Sequence, residues 1–242
     1  MKLIKSSVQI LDQINESEVI NKIASVARTC YKSEDNSTPE KDKALVKRLI
    51  ESGHEAMIEH YSISVKFICD RGVSHELVRH RMASFAQEST RYCNYTKDKF
   101  DNEITYIIPS QWIDEIPEGK CSWADGNWMC DNGKSLSLFR EDGDKSIDAF
   151  LHAIHTDETY YNILINDGLT PQQARAVLPN CLKTELNVTA NLREWRHFFK
   201  LRCSTAAHPD MRVLALDLLK QMYELVPTVF EDIYDTYFGN KE

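Results

Sequence analysis

The sequence predicts an α+β domain in which helices predominate and a few strands lie between them. Apolar residues recur at helical spacing over most of the chain, whereas residues 61–69 alternate polar and apolar side chains with the period of a strand. Proline and glycine residues mark the ends of most of these segments. The 242 residues are 42% hydrophobic and 27% charged, a composition typical of a globular protein that buries a core.

In the first half of the chain, each predicted element depends on one local pattern. Residues 7–11 alternate weakly and are predicted to form a short strand, and residues 16–30 place apolar side chains on one helical face. A second helix is predicted over 38–53, because it begins at a Thr-Pro pair and ends at a glycine. The strand over 61–69 follows, and residues 72–82 are predicted to be helical.

In the second half, proline and glycine again set the predicted ends of the elements. These elements are strands over 104–108 and 186–189 and helices over 145–166, 170–178, 191–203 and 209–239, the last interrupted at Pro227. A long C-terminal helical region is therefore expected. The whole chain, residues 1–242, is expected to form a single domain.

Residues 111–145 differ from the rest of the chain. They contain three tryptophans, four glycines and many acidic residues with little periodicity, so we expect a surface insertion longer than ordinary loops. Cys121 and Cys130 lie within it. The chain has seven scattered cysteines, an odd number that favours reduced thiols, so loop thiols are favoured over a disulfide or metal role for this pair.

Composition narrows the class of function. No signal peptide and no apolar run of membrane-spanning length is present, so a cytoplasmic location without membrane association is expected. The chain has 29 basic and 37 acidic residues, and its net charge of −8 argues against nucleic-acid binding. Only 8 glycines occur, and the sequence contains neither of the two familiar glycine-rich nucleotide-binding motifs, G-x-G-x-x-G and G-x-x-x-x-G-K-[ST].

The basic residues are concentrated in two segments. Residues 71–91 hold four arginines and two glutamates, and residues 171–212 hold seven basic and three acidic residues. The net charges of these two segments are therefore +2 and +4, whereas the whole chain has a net charge of −8. Arginines gathered in this way suggest small anionic ligands held in a cleft, although solvated helix faces would give the same counts.

Helical geometry singles out particular basic side chains. On the predicted helix over 72–82, His80 and Arg81 continue an apolar stripe. On the helix over 191–203, Arg202 continues the face of Trp195 and Phe199 and is expected to be substantially buried, with either an internal carboxylate or a ligand as its partner. The other basic residues of that helix are expected on the opposite side: Arg193, Arg196 and Lys200.

Two segments contain residue types that could form a chemical site. His54 and His60 are six residues apart and do not share a helical face, so a metal site there is disfavoured. The stretch from Arg79 to Tyr92 is more informative, because an Arg-His-Arg triplet is followed by Ser89, Arg91 and Tyr92. Hydroxyl, guanidinium and aromatic groups of this kind suit a phosphate and a flat ring.

This stretch resembles the signature of the flavin-dependent thymidylate synthases, R-H-R-x-x-S followed by S-x-R-Y. Three further elements are similar to that family and occur in the same order. They are Gly53-His54-Glu55 with Glu59-His60, then Ala174-Arg175 with Val177-Leu178-Pro179, then Asn191 and Arg193 with Phe198 and Leu201-Arg202. The resemblance implies a central, mostly antiparallel sheet flanked by helices, and a homotetramer whose active sites are shared between subunits.

The resemblance also implies a reaction and its ligands. The family converts dUMP to dTMP with 5,10-methylenetetrahydrofolate as carbon donor and FAD, reduced by NADPH, as hydride donor. The residues it places at dUMP are Glu76, Arg79, Gln87, Ser89, Arg91, Arg175 and Arg202. The residues it places at FAD are Arg79, His80, Arg81, Gln87, Asn191, Arg193 and His197. Arg202 is the implied catalytic residue, because it would favour ionisation at uracil N3.

Four positions depart from the family pattern. Gln87 follows Ala86 where many members have Asn-Glu, and Glu76 stands where Gln is common. Ala56 stands where a hydroxyl side chain is often found. Two other functions remain open: a non-catalytic RNA- or nucleotide-binding module that uses the arginine-rich helices, and a different flavoenzyme on the same fold.

Overall fold

The computed structural model describes residues 1–30, 32–124, 126–130, 135–136 and 145–239. The helices are α1 (Glu16–Thr29), α2 (Pro39–Glu51), α3 (Arg71–Leu77), α4 (Lys145–Asn166), α5 (Pro171–Ala174), α6 (Leu192–Arg202), α7 (Pro209–Leu225) and α8 (Pro227–Phe238). The strands are β1 (Lys2–Ile4), β2 (Ser7–Ile10), β3 (Ser62–Asp70), β4 (Ala83–Gln87), β5 (Thr105–Ile107), β6 (Gly119–Ala124), β7 (Asn127–Cys130), β8 (Ser135–Leu136) and β9 (Lys183–Asn191). The predicted α+β class is confirmed.

The helix starts follow the capping chemistry of the sequence. The Asn15 side chain accepts hydrogen bonds from the first-turn N–H groups of α1, and Thr38 caps α2 with Pro39 at its first position. The 22-residue helix α4 runs over the predicted residues and buries one apolar stripe. Among the helices of the described residues, none combines the length and the apolar character that crossing a bilayer requires.

The strands form two sheets, so the prediction of one central sheet is wrong. One sheet has the order β5-β1-β6-β7-β8 and the other has the order β2-β3-β9-β4. In the first sheet β1 pairs in parallel with β5, whereas β1–β6, β6–β7 and β7–β8 are antiparallel. A parallel pair is possible here because a long connection, rather than a hairpin, joins β1 to β5.

The described residues group into two compact units. The first unit comprises Met1–Ser7, Ile68–Glu76 and Gln87–Leu186, and its core holds Tyr106, Trp128, Leu151 and Tyr161. The second unit comprises Val8–Phe67, Leu77–Ala86 and Asn187–Glu242. Its aromatic core joins β3 to α6 and α8 through Phe67, Trp195, Phe198, Phe199 and Phe230.

The helix predicted over 72–82 is shorter than expected, because α3 ends at Leu77. The His80 N–H donates to the Leu77 carbonyl at 3.1 Å, which closes a tight turn. Residues 83–87 then form β4, with alternating half-buried and exposed side chains, next to β9 in the sheet. Strand pairing to a segment a hundred residues away outweighs the local helical pattern, and Arg81 is consequently exposed rather than on an apolar stripe.

Residues 111–145 are not an irregular surface loop in their described part. β6 pairs with β1 and with β7, and the Trp128 side chain is fully buried. Cys121 and Cys130 face each other in this hairpin and form a disulfide, so the preference for two loop thiols was wrong. The Cys121 N–H donates to the Met1 carbonyl and not to β7, so Cys121 and Cys130 form a non-hydrogen-bonded antiparallel pair. Such pairs have the shorter Cα separation, and the distance here is 4.4 Å. Residues 125, 131–134 and 137–144 lie outside the described residues.

Candidate functional site

The predicted site residues fall into two groups, one in each unit. The first unit holds five residues assigned to dUMP: Glu76, Gln87, Ser89, Arg91 and Arg175. The second unit holds the other seven: Arg79, His80, Arg81, Asn191, Arg193, His197 and Arg202. With the exception of Gln87, every residue assigned to FAD therefore lies in the second unit.

In the first unit, the S-x-R-Y turn meets the segment that contains Arg175. The Arg175 guanidinium donates to the buried Thr90 hydroxyl at 3.2 Å, and Arg91 Nε donates to the Gln172 side chain at 3.0 Å. The Arg91 N–H donates to the Ser89 hydroxyl oxygen at 3.3 Å. Each guanidinium group is held by one of these hydrogen bonds but remains exposed. Its other N–H groups can therefore bind an anion.

Gln87 ends β4 and is held by two hydroxyl groups. Its Nε2 donates to Ser74 Oγ at 2.9 Å and to Thr184 Oγ1 at 3.2 Å, and both of those residues are fully buried. The amide nitrogen is therefore committed to the protein, and the amide oxygen is the group that remains for a ligand. Glu76 lies half-buried in the last turn of α3.

An ion-pair cluster beside Gln87 was not predicted. Lys183 Nζ lies 3.0 Å from Glu88 Oε2 and 2.7 Å from Glu185 Oε1, and Tyr95 donates to Glu88 at 3.3 Å. Burial opposes the charge of Lys183, but its bonds to Glu185 and Glu88 raise the pKa above the ordinary lysine value. Lys183 therefore stays charged, and its bond to Glu88 fixes the start of the S-x-R-Y segment.

In the second unit, the Arg-His-Arg triplet forms the turn between α3 and β4. His80 is 8% exposed, whereas Arg79 and Arg81 are exposed on either side of it. Within the described part of the chain, no ion pair of Arg79 or Arg81 is found. Two free guanidinium groups on one turn suit a phosphate-bearing ligand such as FAD.

The His80 imidazole lies between an acid and an arginine of α6. Arg202 Nε donates to His80 Nε2 at 3.1 Å, so Nε2 is the acceptor and the proton resides on Nδ1. His80 Nδ1 is 3.1 Å from Glu194 Oε1, to which it donates. Burial, with the positive charge of Arg202, lowers the pKa of His80 below its ordinary value of 6.5, despite the opposing carboxylate.

Helix α6 presents the remaining candidates. The Asn191 side chain caps the helix by accepting the Glu194 N–H at 2.9 Å, so it has a structural role besides the predicted one. Arg193 forms an ion pair with Glu59, which belongs to the upstream element of the resemblance. His197 is exposed, and its ring centroid lies 6.0 Å from that of His80.

The arginines of α6 are not buried as the helical projection predicted. Arg202, the last residue of the helix, is half-buried, and its Nε bonds to His80, a partner that the sequence did not indicate. Arg196, which was placed on the opposite side, is 1% exposed. Asp232 on α8 and Glu55 neutralise its charge. Arg196 is buried because α8 packs on this side of α6. The periodicity of the α6 sequence does not indicate that packing.

His80, Glu194 and His197 place one ligand atom each within 4.8 Å of one another, so they were considered as a metal site. A metal ion on His80 Nδ1 would move the proton to Nε2, where Arg202 already donates. The donor pattern therefore opposes a metal ion there. Glu194, which sequence reasoning missed, is better described as the group that sets the His80 tautomer.

The chain is similar to known proteins over most of its length. The sequence profile of the family described as thymidylate synthase complementing protein matches residues 10–228. A flavin-dependent thymidylate synthase from Geobacter sulfurreducens is 30% identical over 218 residues, which cover 87% of this chain and 80% of that relative. Another, from Corynebacterium efficiens, is 33% identical over 210 residues, covering 85% of this chain and 76% of that relative.

A solved structure supports the fold. The UMP/dUMP methylase PolB from Streptomyces cacaoi, bound with 5-Br dUMP, matches with a TM-score of 0.71 at 22% identity, and the match covers 100% of both chains. The family profile and the curated relatives each span most of the sequence. This chain belongs to the flavin-dependent thymidylate synthase family of enzymes.

Proposed function

We propose that this enzyme converts dUMP to dTMP, with 5,10-methylenetetrahydrofolate as carbon donor and NADPH-reduced FAD as hydride donor. The observation that carries the proposal is the meeting of the S-x-R-Y turn with the segment of Arg175, where two exposed guanidinium groups are each anchored by a hydrogen bond between these segments. A nucleotide monophosphate supplies the anion. The product would feed the synthesis of dTTP.

On the substrate side, Arg91 and Arg175 bind the phosphate of dUMP, and the Ser89 hydroxyl adds a hydrogen bond. The Gln87 amide oxygen accepts a hydrogen bond from the nucleotide or from the flavin, because its nitrogen is held by Ser74 and Thr184. Glu76 accepts a hydrogen bond from the sugar. No protein nucleophile is needed in this scheme, so Ser89 binds and does not attack.

On the cofactor side, FAD supplies the hydride chemistry of the reaction. The exposed guanidinium groups of Arg79 and Arg81 fit its phosphates, and Arg193 and His197 extend the cationic surface along α6. Glu59 neutralises Arg193 in this structure, so an anion that binds Arg193 displaces a carboxylate. Asn191 keeps the start of α6 in place while its amide nitrogen remains for a ligand.

Arg202 is the proposed catalytic residue. Its guanidinium stabilises negative charge on the uracil ring after ionisation at N3, and this charge makes C5 a better nucleophile. His80 holds the guanidinium by accepting from its Nε, and a neutral His80 is required for that bond. The position of Arg202 at the C-terminus of α6 also favours its charge through the helix dipole.

The proposed assembly is a homotetramer with active sites shared between subunits, so the two groups of residues need not come from one chain. A cytoplasmic location and the absence of nucleic-acid and membrane partners remain predictions. NADPH is proposed as the reductant without an assigned docking site.

The proposal is tested with the purified protein, FAD, NADPH, methylenetetrahydrofolate and dUMP. The expected results are a yellow protein that retains or takes up FAD, and dTMP formed only when all components are present. A protein that takes up no flavin contradicts the proposal and favours the nucleotide- or RNA-binding alternative. A flavin that NADPH reduces without dTMP formation favours a different flavoenzyme.

A further inference from the structure

Arg196 is the most deeply buried charged side chain that α6 contributes to the second unit. Its guanidinium uses both terminal nitrogens on Asp232, at 2.7 Å each, and donates from Nε to Glu55 at 3.0 Å. A further bond reaches the Val229 carbonyl. Four of its five N–H groups are thus committed, in the forked geometry that only arginine offers.

These bonds join three separate elements of the second unit. Glu55 begins the 3₁₀ turn Glu55–His60, Arg196 lies in the middle of α6, and Asp232 lies in α8. Burial opposes the charge of Arg196, but the bonds to Asp232 and Glu55 raise its pKa above the ordinary value. Asp232 has a lowered pKa, because its bond to Arg196 outweighs burial. Arg196 and Asp232 therefore remain an ionised pair.

The network also lies next to the proposed flavin residues. Arg193 and His197 stand three positions before and one position after Arg196 on the same helix, and Glu59 of the 3₁₀ turn pairs with Arg193. Glu55 itself lies 4.0 Å from Arg193 Nε and 3.6 Å from Lys200 Nζ. A small rotation of α6 would shift every one of these groups.

We propose that Arg196 is a positioning residue for the flavin side of the reaction, an inference that rests on the proposed function. Trp195, Phe198 and Phe199 form the apolar face of α6, and the Trp195 indole N–H donates to the Ile63 carbonyl at 3.1 Å. Because hydrophobic attraction is non-directional, this face restrains the rotation of α6 from the core side only. The two-pronged bond to Asp232 and the single bond to Glu55 fix that rotation and the distance to the 3₁₀ turn. Arg193 and His197 are thereby preorganised for FAD.

The test compares Arg196→Met, which keeps the length and loses the bonds, with Arg196→Lys, which keeps the charge and loses the fork. FAD dissociation constants, dUMP KM values and kcat are measured below the unfolding temperature of each variant. Arg196→Met is expected to weaken FAD between about 10-fold and 100-fold, with Arg196→Lys in between. The dUMP KM should be unchanged and kcat should recover at saturating FAD, because the binding surface is displaced and not removed.

Two controls separate positioning from stability. Leu218→Ala removes a buried side chain of α7 and should destabilise the protein without changing FAD affinity. Lys47→Ala breaks the surface pair with Glu231, which holds α8 without involving α6. Hydrogen exchange of residues 55–60 should be faster in Arg196→Met alone, a readout that needs no flavin.

The outcomes are distinct. Wild-type protein that binds no FAD contradicts the proposed function. Wild-type protein that binds FAD while Arg196→Met binds it equally well, or loses no more affinity than Leu218→Ala, overturns the positioning role.

Discussion

The imidazole of His80 holds the Nε side of the Arg202 guanidinium. It accepts from Arg202 on one nitrogen and donates to Glu194 from the other, and it can do both only when it is neutral. Burial keeps it neutral by lowering its pKa. Hydrogen bonds therefore connect three side chains in a row, from Glu194 through His80 to Arg202, which is the proposed catalytic residue.

Replacement of Arg202 by Ala should reduce kcat by about 10²-fold to 10³-fold, because a charged group that acts on the developing anion is lost. FAD content should stay near that of the wild type, since Arg202 is not assigned to the cofactor. Steady-state kinetics and the flavin absorbance of the purified variant measure both quantities. Retained turnover in Arg202→Ala would refute the N3 role.

His80 should make the protein less stable as the pH falls. Its pKa is lowered from 6.5, so below pH 6.5 the unfolded chain binds a proton that the native state resists, and the free energy of unfolding decreases. The carboxyls of Asp232 and Asp42 have lowered pKa values and lose their contributions only at more acidic pH. Urea unfolding between about pH 8 and pH 5.5 should show a larger loss for wild type than for His80→Gln. Equal losses would contradict this assignment.

At the scale of elements, short turns carry most of the candidate chemistry, and sheets and helices hold their ends. The S-x-R-Y turn follows β4 and is anchored by Gln172 and Arg175, which belong to or follow α5. The Arg-His-Arg turn lies between α3 and β4 and is anchored by α6. In each unit, one turn with exposed arginines is thus fixed by a helix distant in sequence.

Arg175→Ala should raise the dUMP KM by about 10-fold to 100-fold, because it removes a charged hydrogen-bond donor from the proposed phosphate site. Thr90→Val retains the guanidinium but releases its anchor, so a smaller increase is expected. Steady-state kinetics at saturating FAD separate the two variants. If Arg175→Ala weakened FAD and left the dUMP KM unchanged, the assignment of Arg175 to the substrate would be wrong.

The β6–β7 hairpin should depend on its disulfide for stability but not for activity. Cys121 and Cys130 close a loop of nine residues' separation and are 2% and 6% exposed. Replacing both by serine should cost about 2–3 kcal/mol of unfolding free energy, from the loop-closure entropy that is lost. Urea unfolding and peptide mapping without reductant check this. A kcat that falls with the disulfide would place the hairpin in the reaction after all.

At the scale of the whole molecule, both sets of candidate residues of this acidic protein contain exposed arginines. They are Arg91 and Arg175 in the first unit and Arg79, Arg81 and Arg193 in the second. Each compact unit is assembled from three separate segments of chain. A single domain over residues 1–242 with an insertion over 111–145 stays a prediction. Exposed apolar side chains lie next to the exposed arginines, with Met82 at 73% and Tyr92 at 75% exposure. Such side chains suit coverage by another subunit.

Light scattering of the purified enzyme should therefore give the mass of four chains of 28.0 kDa each. A charged substitution at an exposed apolar position, Met82→Glu, should lower the mass and the activity together, because shared active sites require neighbouring subunits. The matched control is Met129→Glu, which alters an exposed methionine of β7. A monomer with full activity would contradict the shared-site tetramer.

Local sequence patterns determined the elements whose signals are short-ranged. Neighbouring residues determine the caps of α1 and α2, the apolar stripe of α4 and the break at Pro227. The family resemblance likewise depends on short motifs and their order along the chain. In the structure the Arg91 N–H bonds to Ser89 and Arg175 bonds to Thr90, so the three residues lie close together, and their assignment to dUMP stays a prediction.

Only the tertiary structure decided which charges are buried and which partners they have. The depth of Arg196 depends on α8, the tautomer of His80 depends on α6, and the Cys121–Cys130 bond depends on the pairing of β6 with β7. Periodicity reports the face on which a side chain lies, but the element that packs on that face is chosen by contacts between distant segments. For this protein, those contacts set the rotation of α6 and thus the surface proposed to bind the flavin.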